Sequence, residues 1–143
     1  MLLQAEADAL LAAPKHFLDT STIDFRPGGH EIRELMDAAE RDLFHFDLRR
    51  GSIRISKVTY QTRARRSIVL ARLDIDGSPH TNPDGNKVEG PHLHIHREDY
   101  EDKWAAPVDP SVFKDPSDIG QAFVDFCGFC RIESPPPLQA GGW

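Results

Sequence analysis

The sequence predicts an α+β fold, with an antiparallel β-sheet of about four to five strands flanked by an N-terminal and a C-terminal helix. Three observations predict it. Apolar residues recur at helical spacing only near the two ends, and they alternate with polar residues through the middle. The resulting order of helix, strands and helix is that of α+β rather than alternating α/β chains. With 143 residues, 39% of them hydrophobic and 28% charged, the chain has the size of one domain. We place that domain at residues 1–134 and a Pro- and Gly-rich tail at 135–143.

Leu3, Ala7, Leu10 and Leu11 mark the first helix, which Pro14 stops. Pro27-Gly28-Gly29 is a turn, and Ile32 to Met36 a short strand. Phe44, Phe46 and Leu48 alternate with His45, Asp47 and Arg49, as a strand with one buried face does, and Gly51 ends it. Ile53 and Ile55, alternating with Ser52, Arg54 and Ser56, predict the next strand. The longest runs from Ile68 to Asp76, with Val69, Ala71, Leu73 and Ile75 on its apolar face and Arg72, Asp74 and Asp76 on the other.

Two prolines and three glycines between Gly77 and Gly90 predict an exposed loop, and His92 to His96 a last strand. Asp115 and Pro116 suit the cap and first position of the second helix. Ile119, Ala122, Phe123, Phe126, Cys127 and Cys130 form its apolar stripe, so both cysteines are expected in the core as small hydrophobes. Val69, Leu73, Ile75, Leu93, Ile95, Phe123 and Phe126 are the expected core.

Charge is sorted along the chain more tellingly than its total of −6 implies. Eight basic residues and no acidic one lie between Leu48 and Leu73, leaving nine of the 17 basic residues to face all 23 acidic ones elsewhere. Such a strip can bind a polyanion locally, because a surface field is set by charges within a Debye length of about 10 Å. Arg49, Arg54, Arg63, Arg65 and Arg66 are the candidate nucleic-acid contacts. No apolar run approaches the roughly 20 residues of a membrane span, and the N-terminal residues lack the order of a secretory signal. A cytoplasmic protein without membrane contact is expected.

His92, His94 and His96 are spaced two apart, so on a strand they share one face, expected to meet solvent, while Leu93 and Ile95 face the core. If this strand pairs with 68–76, Arg72 and Asp74 share the histidine face, and His45 and Arg49 have the parity to join it. Imidazoles there suit acid–base work near neutral pH. A metal, if any, would take His92, His94 and Asp74, but this third ligand lies far away in sequence, so no cofactor is expected.

Three resemblances bear on function. His92-Leu93-His94-Ile95-His96 resembles the core of the histidine triad nucleotide hydrolases, which implies His94 as nucleophile; the chain departs from that pattern at Arg97-Glu98. A broader pattern comprises Arg72-Leu73-Asp74-Ile75-Asp76-Gly77, Pro79-His80, Asn82-Pro83-Asp84-Gly85, Gly90-Pro91-His92-Leu93-His94-Ile95 and Asp102-Lys103-Trp104-Ala105. It resembles an uncharacterised family of small bacterial and prophage proteins, in which the His96 position is often tyrosine and the Cys127 position is not cysteine. Arg72-x-Asp74, Pro79-His80 and Pro91-His92-x-His94 are also similar to TumE-type toxins of toxin–antitoxin systems. That similarity implies a compact antiparallel sheet and an action on RNA.

The leading expectation is a toxin-like RNA-binding or RNA-cleaving protein of a mobile element, acting without metal. His80, His92 and His94 would transfer protons while Arg72 stabilises the phosphorane. A non-enzymatic interaction protein, either an inhibitor of host defence or an antitoxin-like partner, is the alternative, and its partner is then a protein rather than RNA. A metal-dependent hydrolase is the third.

Overall fold

A computed structural model describes residues 2–141. In chain order the elements are α1 (Gln4–Ala12), β1 (Lys15–Phe17), β2 (Ile23–Asp24), β3 (His30–Asp37), β4 (Leu43–Arg50), β5 (Val58–Ala64), β6 (Ile68–Ile75), β7 (His80–Thr81), β8 (Lys87–Val88), β9 (His92–Ile95), β10 (Ala105–Pro107), α2 (Ile119–Phe129), β11 (Ile132–Glu133) and β12 (Leu138–Gln139). The class is α+β, but the main sheet has eight strands rather than four to five, in the order β10-β9-β6-β5-β4-β3-β1-β11. All its pairs are antiparallel except β1 with β11. Two short pairs, β2 with β12 and β7 with β8, lie outside it.

One face of the sheet carries Phe44, Phe46, Leu48, Tyr60 and Leu73, all buried, and α2 packs on it through Phe123 and Phe126. The Phe46 ring lies 5.7 Å from that of Phe123 and 5.8 Å from that of Phe126, in edge-to-face contacts. The Tyr60 hydroxyl donates to the Ile119 carbonyl at 3.0 Å, so the helix start is tied to the centre of the sheet. Cys127 and Cys130 are buried free thiols on the same stripe.

Five expectations fail locally. Ile53 and Ile55 are not in a strand: residues 51–57 form a turn closed by the Gly51 N–H on the Lys57 carbonyl, and Ile53 is 98% exposed. Gly51 is required there, because a Cβ would lie 2.2 Å from the Arg54 carbonyl oxygen. The strand that follows Gly51 is instead β5. It is joined to β6 by a tight turn with positive φ at Arg65 and Arg66 (49° and 70°), a conformation that Asn-Gly usually signals and Arg-Arg does not.

A register shift at Thr62/Arg63 leaves Val69 half-buried and puts Leu70 in the core. The second helix begins at Ile119 with Asp118 as its cap, accepting from the Gln121 N–H. Asp115 instead accepts from the Ser117 hydroxyl within the preceding turn. Leu93 is buried, but Ile95 is 40% exposed near the sheet edge, where only β10 lies beyond β9. The expected tail is built in: Leu138–Gln139 pairs in parallel with Ile23–Asp24, and the buried Arg50 donates to the carbonyls of Phe25 and Gly141. Residues 142 and 143 of that segment lie outside the described residues.

No helix among the described residues is long and apolar enough to cross a membrane.

Candidate functional site

The β6–β9 ladder places Arg72 opposite His94 and Asp74 opposite His92. Because side chains alternate, these four share the face opposite α2. Asp74 is the hub. Its Oδ2 lies 3.1 Å from Arg72 Nε, 3.1 Å from His94 Nε2 and 3.4 Å from His92 Nε2, while Oδ1 accepts from the Thr59 hydroxyl at 2.9 Å. Burial alone raises the pKa of the carboxyl. The His94 hydrogen bond, the Arg72 charge and Thr59 outweigh it and hold the group well below the usual carboxylate range.

Backbone carbonyls assign the ring protons. Nδ1–H of His94 donates to the Asp102 carbonyl at 2.8 Å, and Nδ1–H of His92 to the Gly90 carbonyl at 2.9 Å. Both Nε2 atoms therefore turn toward Asp74. Arg72 completes the cluster, with Nη1 donating to the Asp102 carboxylate at 2.7 Å and Nη2 standing 3.0 Å from His94 Nε2. The β7–β8 hairpin brings His80 against the cluster: its ring centroid is 4.5 Å from that of His94, and its Nε2–H donates to the Lys103 carbonyl at 2.7 Å. Asn82 fixes this hairpin, donating to the Ala105 carbonyl at 2.9 Å and accepting from the Ala105 N–H at 2.8 Å.

His80, His92, His94, Arg72 and Asp74 are thus brought together, but the histidine row does not face solvent. The His94 side chain is fully buried and that of His92 nearly so, because the hairpin and the Asp102–Ala105 segment pack over them. His96 is also buried, yet lies apart: among the described residues neither of its ring nitrogens has a partner, and it borders a different cavity with Leu2 and Ile68. His45 pairs across the ladder with Arg63, away from the cluster.

Most of the candidate arginines already have a carboxylate. Arg63 grips Asp47 through Nε at 2.6 Å and Nη2 at 2.9 Å, Arg54 pairs with Asp76, and Arg65 lies 3.4 Å from Glu6. Of the basic strip, Arg49, Arg50, Lys57 and Arg66 have no acidic partner among the described residues, and Arg50 is bound to backbone carbonyls instead. Arg49 and Lys57 border a cavity of about 400 Å³ whose walls also include Asp47, Thr59, Gln61, Arg72, Asp74 and Ser78.

Thr59, Gln61, Asp47, Lys57 and Asp102 were not anticipated as site residues. Reading 58–64 as a strand would have found two of them, since Thr59 and Gln61 alternate with Val58, Tyr60 and Thr62. The metal-ligand candidates Asp74, His92 and His94 have one ligand atom each within 4.8 Å of the others.

A family of unknown function (DUF6978) matches residues 2–132. The chain belongs to that family. Its match spans β3 to β6, the β7–β8 hairpin and α2, so the cluster and the cavity both lie inside the matched region. No curated protein and no solved structure matches the chain.

Proposed function

We propose that the protein binds RNA and cleaves it in toxin-like fashion at the cavity between Arg49 and Asp74. The observation that carries this reading is that two cations without acidic partners among the described residues, Arg49 and Lys57, share one cavity of about 400 Å³ with Arg72 and Asp74, the two cluster residues that line it. A phosphate on the two cations would place its neighbouring sugar toward the cluster. Of the three cluster histidines His80 is the least buried, and it is the residue proposed to take the 2′-OH proton as that oxygen attacks phosphorus and to return it to the 5′ oxygen as the P–O5′ bond breaks. Its Nε2–H is held by Lys103, which leaves Nδ1 as the basic nitrogen. His92 and His94, both buried, act through Asp74 and Arg72 rather than by touching RNA.

A short single-stranded RNA tests this. Affinity should fall with salt, and Arg49→Ala and Lys57→Ala should each flatten the log–log slope by about 0.7. His80→Ala should lower cleavage by about a hundredfold or more with affinity kept. No detectable binding at low ionic strength would end the RNA reading. Binding without cleavage in the parent protein would leave a recognition module. The pairing of Arg54, Arg63 and Arg65 with carboxylates weakens the basic strip and favours, as second reading, a non-enzymatic interaction protein.

A further inference from the structure

Each of the three groups that converge at the hub has its other polar atom tied down. Nδ1 of His92 is on the Gly90 carbonyl, Nδ1 of His94 on the Asp102 carbonyl, and Oδ1 of Asp74 under the Thr59 hydroxyl, all within 2.8–2.9 Å. Metal-ligating imidazoles and carboxylates carry outer hydrogen bonds of this kind, which fix the tautomer and aim the remaining lone pair. With Nε2 of both rings unprotonated, what remains is one lone pair from each group, so the ion displaces the proton through which His94 bonds Asp74. Oδ2 lies 3.1 Å from one Nε2 and 3.4 Å from the other. A tetrahedral site with bonds of about 2.0–2.1 Å has ligand-to-ligand edges of about 3.3–3.4 Å, so these two separations already approximate the edges of such a site. A neutral His92 also presents its Nε2 lone pair to an anionic oxygen, a repulsive contact that a cation between them turns attractive.

We infer that His92, His94 and Asp74 form a binding site for one divalent transition-metal ion of the Zn²⁺ class. Two imidazoles and one carboxylate are a borderline donor set, which suits Zn²⁺ or Fe²⁺ rather than the all-oxygen preference of Ca²⁺ and Mg²⁺.

Arg72 is the competing cation, and its contacts show how it yields. Its Nη2 is 3.0 Å from His94 Nε2 and its Nε donates to Asp74 Oδ2 at 3.1 Å, but Nη1 is held separately by Asp102 at 2.7 Å. It can therefore yield the imidazole and share or yield Oδ2 while keeping the Asp102 carboxylate. With neutral imidazoles, Arg72, Asp74 and Asp102 carry a formal charge of −1 between them. A divalent ion reverses that to +1 beside the cavity, where an anionic ligand would sit. The inference stands apart from the RNA reading, since it rests on the ligands alone.

The full chain, stripped with a chelator, is titrated with Zn²⁺ alone against a chromophoric competitor, with thermal unfolding followed in parallel. One ion per chain and a raised Tm are expected. His92→Gln and Asp74→Asn should each weaken binding at least about a hundredfold, and Thr59→Val about 10- to 100-fold, as loss of an outer hydrogen bond does. Arg72→Gln should strengthen it, and His30→Gln, at an exposed histidine, should leave it unchanged. No binding by the parent, or binding insensitive to His92→Gln and Thr59→Val, overturns the inference. If the ligand variants fail to fold, Co²⁺ bound to the parent decides: an intense four-coordinate spectrum supports the site, and a weak octahedral one overturns it. Metal binding without RNA binding keeps this site and removes the RNA reading.

Discussion

Arg72 stands opposite His94 across the β6–β9 ladder, with Nη2 3.0 Å from Nε2 and the rest of its fork shared between Asp74 and Asp102. One guanidinium thus serves two half-buried carboxylates. Arg72→Ala leaves both without their cation, and a loss of about 2–3 kcal/mol in urea unfolding is expected. Arg72→Lys restores the charge but not the fork, and should fall between the two. An Arg72→Ala protein as stable as the parent would show that the carboxylates find other partners.

The β7–β8 hairpin is tied to the sheet edge through both ends of the Asn82 amide. Asn82→Ala should speed hydrogen exchange at the Ala105 N–H and at the hairpin amides, with a stability cost of about 1–2 kcal/mol. His80 would lose its fixed place over His94, so any activity that depends on His80 should fall together with the exchange protection. Unchanged exchange in the variant would mean that the hairpin is held by its own contacts.

Lys15 joins the two helix ends. Its buried ammonium donates to the carbonyls of Leu11 at 2.8 Å, Ala13 at 2.9 Å and Cys130 at 2.9 Å, and lies 5.0 Å over the Phe44 ring. Burial pushes its pKa down to about 8. Lys15→Met keeps the length of the stem but leaves three carbonyls without this donor. A loss of about 1–3 kcal/mol is expected by chemical denaturation.

The Cys130 thiol supplies a pH dependence. Burial pushes its pKa up to about 12 from an ordinary 9.0. In the unfolded chain the thiol ionises near 9.0, whereas in the fold it stays protonated, so its contribution is complete below pH 9 and is lost as pH rises toward 12. Lys15 works the other way between about 8 and 10.5, because its folded pKa is lowered. Comparing the parent with Cys130→Ala isolates the thiol together with its charge coupling to Lys15. The variant should lose less stability than the parent between about pH 9 and 11. Parallel curves would place the alkaline loss at other groups.

Period-two alternation decides which residues of a strand share a face, and for that reason the sequence alone determined that Arg72 and Asp74 lie on one side of β6 and His92 and His94 on one side of β9. The helical stripe of Phe123, Phe126, Cys127 and Cys130, and the stop of α1 before Pro14, were legible for the same local reason. Turn chemistry was less so: Arg65-Arg66 makes a positive-φ turn without glycine or asparagine, and this hid β5 and with it Thr59 and Gln61.

Only the tertiary structure decided that the histidine face is covered. Whether a face meets water depends on what packs over it, and here that cover is the β7–β8 hairpin and the segment from Asp102 to Ala105, neither of which has a local signature of contact with β9. It likewise decided which arginines are neutralised, because Asp47 lies 16 residues from Arg63, and Asp102 lies 30 from Arg72. Pairing between charges so far apart follows from strand register and loop closure, which no local pattern of residues encodes.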